Sequence, residues 1–174
     1  AILEGSVLLI DYELRQQVDL TPESIGQYYQ RFVDAARILR GFGWAGGLAH
    51  TFVRRSTADV PPTVTLQLDR FATPEGAARF LESLRRNESP SLSHFLDLAE
   101  PAKQVDQPVT GHEAAAFEAG LADRGVTPRV VPVRYYVFRR DSLIGQVIVV
   151  RDGPPWPQVV DLARAQDDRL VPGT

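Results

Sequence analysis

The 174-residue sequence contains no cysteine, so disulfides, iron–sulfur clusters, thiolate zinc sites and thiol nucleophiles are excluded together, and cysteine usage says nothing about compartment. Lysine is nearly absent: Lys103 is the one lysine among 19 basic side chains, a skew that GC-rich coding explains better than selection for guanidinium chemistry. An excess of positive charge is missing as well. The 19 basic residues face 22 acidic ones for a net charge of −3, which leaves no broad positive field for a polyanion, and nucleic acid is not an expected partner. Apolar runs stop at four residues, as in Val7 to Ile10 and Val147 to Val150. A membrane helix needs about 20, so no transmembrane segment is expected. The three histidines, His50, His94 and His112, have none of the short spacings that bring two imidazoles to one face. Neither a metal site nor a cofactor is expected.

What is present is the composition of an ordinary globular domain, 44% apolar and 24% charged, with enough chain for one substantial core. We read residues 1–174 as a single domain. Gly5 to Leu14 is rich in β-formers and predicts an opening strand. Thr21-Pro22-Glu23 is a helix start, with Thr as N-cap, Pro in the first turn and an acid at the positive end of the dipole. In the helix that follows, Ile25, Tyr28, Tyr29, Phe32, Ala36 and Leu39 share one face up to a stop near Gly41, closing an N-terminal part of residues 1–40.

Residues 41–86 predict a β-β-α unit. Leu48 to Arg55 and Thr63 to Phe71 read as a hairpin, the second strand alternating Val64, Leu66 and Leu68 with Thr65, Gln67 and Asp69. Thr73-Pro74-Glu75 then repeats the helix-start chemistry. Residues 87–112 read as a connector holding a short helix over Leu92 to Leu98. Residues 113–174 predict three strands, Glu113 to Gly120, Val131 to Arg140 and Leu143 to Arg151, then a helix after the Pro-rich turn at 154–157. Consecutive hairpins followed by helices make the class α+β, a mostly antiparallel sheet of five to six strands covered by helices.

Gly41-Phe42-Gly43-Trp44-Ala45-Gly46 matches G-x-G-x-x-G, but here a helix precedes it and a strand follows. A dinucleotide loop requires the reverse order, so the glycines read as a helix stop and connector. Trp44 in that loop either plugs the core or lines a pocket mouth. Arg54-Arg55 and Arg139-Arg140 fall at strand ends, where they form a basic rim able to grip an anion if they converge, or ordinary solvated strand ends if they do not. Ser6, Ser83 and Ser142 have no nucleophile elbow around them. No catalytic residue is assigned. A ligand cavity, if present, is expected between the sheet and the first helix, with Tyr28, Tyr29, Trp44 and Phe52 at its wall and Arg54 or Arg139 at its rim.

The segment VTLQLDRFATPEGAARFLESL, the Gly-flanked Trp44, and the C-terminal VRYYVFRRDSLIGQVIVVRDGPPWPQVVDLARAQDDRL together resemble a loose group of uncharacterised secreted proteins and lipoproteins of high-GC bacteria. The resemblance covers most of residues 41–170. It implies export, tethering through a lipidated cysteine in an N-terminal segment removed from this chain, and a sheet-and-helix sandwich like that of the photosystem extrinsic subunit PsbP, whose relatives act as accessory or binding modules. The expectation is therefore a non-catalytic extracytoplasmic module that binds a partner protein, a membrane complex or a small apolar ligand. Two alternatives stand beside it. An enzyme with a convergent Asp, Glu, Arg and Tyr site would show a deep pocket with perturbed titratable groups. A structural subunit of a larger assembly would show a contiguous exposed apolar patch.

Overall fold

The computed structural model describes residues 9–25, 35–56, 61–86, 98–99, 101–123 and 129–170. Its centre is one antiparallel sheet of seven strands: β1 (Tyr12–Leu20), β2 (Trp44–Arg54), β3 (Thr63–Phe71), β4 (Lys103–Val105), β5 (Glu113–Asp123), β6 (Arg129–Arg140) and β7 (Leu143–Val150). The spatial order is β1-β2-β3-β7-β6-β5-β4, so the hairpins β2-β3 and β6-β7 meet in the middle through β3 and β7. Three helices are seen among the described residues: α1 (Ala35–Gly41), α2 (Pro74–Arg85) and α3 (Trp156–Asp168). The α+β class and the two β-β-α units are thus present.

The helices cover opposite faces. On the first face α1 packs on β2 and α2 crosses β3, β7, β6 and β5, burying Phe71, Phe80, Leu81, Leu84, Phe117 and Val137. On the second face α3 lies on β6 and β7 and buries Phe52, Val64, Leu66, Tyr136, Phe138 and Val149 against Val159, Val160 and Leu162. Each core forms because strand residues alternate sides and helix residues recur at three to four steps, so one strand feeds both layers.

Local chemistry starts the helices as the sequence predicts. Thr73 is extended and its Oγ1 accepts from the Gly76 amide at 3.1 Å, with Pro74 in the first turn. At the first Thr-Pro-Glu, Thr21 Oγ1 accepts from the Ser24 amide at 3.1 Å and Ser24 Oγ accepts from the Thr21 amide at 2.9 Å. Residues 26–34 lie outside the described residues, and α1 is described from Ala35. Gly43, not Gly41, holds the left-handed turn after it, at φ 80°.

Two expectations are corrected. The sheet has seven strands rather than five to six; the extra one, Lys103–Val105, is three residues long and gains its conformation from pairing with β5, so no propensity announced it. Of the expected opening strand Gly5 to Leu14, residues 5–8 lie outside the described residues and residues 9–11 form a turn; the described strand runs Tyr12–Leu20, fixed by its ladder to β2, from Tyr12 opposite Arg54 to Leu20 opposite Gly47. Of the expected short helix, residues 92–97 lie outside the described residues, and Leu98 forms an isolated bridge with Leu121.

Candidate functional site

The alternation in β3 sends Val64 and Leu66 to the second face and Gln67 and Asp69 to the first. A polar row on a half-covered sheet would face water. Here α2 covers it, and Asp69 is left 1% exposed. Because β3 pairs with β7, Gln67 stands opposite Gln146, and Tyr135 of β6 reaches the same glutamine along the diagonal. Tyr135 donates to Gln146 Oε1 at 2.7 Å, Gln67 Nε2 donates to Asp69 Oδ2 at 2.8 Å, and Gln146 Nε2 donates to that same oxygen.

Trp44 completes the centre by donating its indole N–H to Asp69 Oδ1 at 2.8 Å. Strict alternation along β2 would send Trp44 to the second face with Phe52. A bulge between Trp44 and Gly46, with Gly46 at φ 141°, inserts one residue and turns the indole to the first face. Gly47 lies directly opposite Asp69, where a Cβ would stand 2.7 Å from Asp69 Oδ1 and 2.7 Å from the Leu68 carbonyl oxygen. The glycine-rich loop therefore makes room for a carboxyl and an indole rather than for a phosphate.

The electrostatics are those of an acid sealed among neutral groups. Burial pushes the Asp69 carboxyl up to about 6, while the bonds from Trp44, Gln67 and Gln146 pull it back toward its ordinary range. Burial likewise raises the Tyr135 phenol well above its usual value, with the Asp69 charge adding to the effect. The arrangement can store a proton near neutral pH, but it presents no reacting atom to solvent.

The structure separates the residues proposed as a cavity wall. Tyr28 and Tyr29 lie outside the described residues. Trp44, 4% exposed, belongs to the first core, and Phe52 to the second, so the sheet stands between them. Arg54 lines two shallow grooves of about 450 and 380 Å³ beside Tyr12, at the end of the sheet where β3 begins. Arg139 lies at the other end, since it pairs with Ile144 and Ile144 with Asp69, so the two arginine pairs do not converge into a rim. Arg139 donates to Glu113 Oε1 at 2.7 Å, and Arg85 of α2 donates to Glu113 Oε2 at 2.9 Å. Those bonds hold the Glu113 carboxyl below its usual range, Arg139 first among the causes. Arg140 forms a two-bond pair with Asp167 of α3, one bond at 2.6 Å. His50 is buried beside Phe52, with ring centroids 6.3 Å apart.

Asp69, Gln67 and Gln146 are not among the residues expected from the sequence to form a site. One signal was available: Gln146 is the lone polar side chain in the strand Leu143–Val150. No group of three His, Cys, Asp or Glu residues able to hold a metal occurs among the described residues, and no helix there is long and apolar enough to cross a membrane.

No protein-family model and no curated protein matches the chain. Among solved structures it is similar to the extracellular domain of PknH from Mycobacterium tuberculosis, with a TM-score of 0.59 over 97% of this chain and 92% of that one, at 12% identity. The likeness is one of fold: an α+β sheet-and-helix domain that serves elsewhere as the extracellular part of a mycobacterial protein.

Proposed function

We propose that this chain is a non-catalytic extracytoplasmic binding module. The observation that carries the reading is the correspondence over nearly its whole length with a domain described as extracellular. The chemistry is consistent with it. Among the described residues the carboxyl most displaced from its ordinary value, Asp69, accepts from the neutral side chains of Trp44, Gln67 and Gln146 and is buried from solvent. Tethering near a membrane and an accessory role of the kind PsbP-like domains play are the partner-protein version of the same proposal.

Two measurements on native cells test it. Protease added to intact cells should digest the protein while a cytoplasmic marker survives; protection equal to the marker's would reject the extracytoplasmic part. Native mass spectrometry of the protein taken from those cells should show a retained small molecule or a bound subunit beyond the 19.3 kDa chain. Turnover of a substrate by the purified chain would reject the non-catalytic part.

A further inference from the structure

Helix α3 covers only part of the second sheet face. Beyond its N-terminal end, where β4, β5 and β6 run side by side, no other helix among the described residues lies on the face, which forms a groove of about 500 Å³. Strand register fixes what points into it. Lys103 stands opposite Glu118, Glu118 opposite Arg134, and Gly120 opposite Pro132. Gly120 has no side chain, and the Val130 methyl leans over it, 2.3 Å from where a Cβ would sit. Val130 itself is 57% exposed, an apolar wall in contact with water.

The charges around the groove are lopsided for an acidic chain. Among the described residues, Lys103, Arg134 and Arg151 line it against one carboxylate, Glu118, which accepts a bond from the Trp156 indole at 2.9 Å. Arg134 is fixed in place by donating to the Pro154 carbonyl at 3.2 Å. Arg151 is more telling. It is held at φ 68°, a conformation that disfavours any residue with a Cβ, while its amide donates to the Pro132 carbonyl at 2.8 Å at the groove's edge.

We propose that this groove binds a small amphipathic anion, a phosphate or carboxylate head held by Lys103, Arg134 and Arg151 with a short apolar tail against Val130, Pro132 and Gly120. The proposal rests on reading the chain as a binding module and adds the site and the ligand class. Guanidinium groups suit such heads because their planar donors match two oxygens at once.

The test uses octyl phosphate, inorganic phosphate and phosphatidylglycerol vesicles as probes, with calorimetry for affinity and hydrogen exchange for location. Octyl phosphate should bind at least about tenfold more tightly than inorganic phosphate, the tail supplying the difference. Lys103→Ala and Arg151→Gly should each weaken it by about tenfold. Lys103 is exposed, so Lys103→Ala should melt with the parent and its loss of binding cannot be ascribed to unfolding. Amides of residues 102–105, 118–120, 130–131 and 133–134 should gain protection. Failure of octyl phosphate to bind at millimolar concentration, equal affinity for inorganic phosphate, or unchanged affinity in both variants would overturn the proposal. So would vesicle binding that octyl phosphate does not compete, which would make the ligand a membrane surface. Protection confined to residues elsewhere would overturn the groove while leaving the binding-module reading in place.

Discussion

Arg139 and Arg140 are adjacent in β6 and tie down helices on opposite faces of the sheet. Arg139 joins Arg85 of α2 at the shared carboxylate of Glu113, whereas Arg140 grips Asp167 of α3, whose Oδ2 also accepts from the Gly111 amide at 3.2 Å. Alternation along a strand sends neighbouring side chains to opposite sides, so one dipeptide serves both layers.

The two pairs differ in burial, and their removal should differ in cost. The Asp167 side chain is 8% exposed and Glu113 35%. Arg140→Ala strands a buried carboxylate and should cost about 3 kcal/mol, while Arg139→Ala leaves Glu113 with water and Arg85 and should cost about 1 kcal/mol. Urea unfolding of the two variants measures the contrast, and equal costs would contradict it.

Asp69 makes stability depend on pH in a defined direction. Its carboxyl sits at about 6 when folded against an ordinary value of 3.8. Below about pH 4 both states are protonated and the fold bears no penalty from this group. As pH rises from about 4 to about 6 the unfolded chain ionises first, and stability falls by up to about 3 kcal/mol, then stays level. Exposed acids with lowered values act oppositely, so the informative quantity is a difference. Asp69→Asn should gain stability relative to the parent between pH 4 and 7, by the separation of their melting curves; a constant separation would refute the role of Asp69.

Trp44 acts as core and as donor. Trp44→Ala should cost about 3–5 kcal/mol, the range for emptying a large aromatic site. Trp44→Phe keeps most of the volume and removes the indole N–H, so it should cost about 1.5–3 kcal/mol, and less at pH 4 than at pH 7, because the bond is worth most to the ionised carboxylate. Denaturant titrations at the two pH values check both figures.

Gly47→Ala places a methyl 2.7 Å from Asp69 Oδ1 and from the Leu68 carbonyl oxygen. Backbone cannot yield as a side-chain tip can, so the variant should lose about 1–3 kcal/mol. In the double variant with Asp69→Ala the loss should shrink without vanishing, since the Leu68 clash remains.

Much of this architecture was written locally. The two Thr-Pro-Glu starts, the hairpins over residues 48–71 and 131–151, and the apolar face of α2 follow from capping chemistry and periodicity within a few residues. The candidate site was less legible. Alternation separated Gln67 and Asp69 from Val64 and Leu66, but it could not say that a helix would cover the polar side, because cover comes from residues distant in sequence. The bulge that brings Trp44 to Asp69 changes face through one inserted residue, and β4 exists only by pairing with β5. The sequence by itself determined composition, helix starts, strand periodicity and class; tertiary structure alone decided which face each side chain met, what was sealed and where charge gathered, because burial and pairing are set between segments rather than within them.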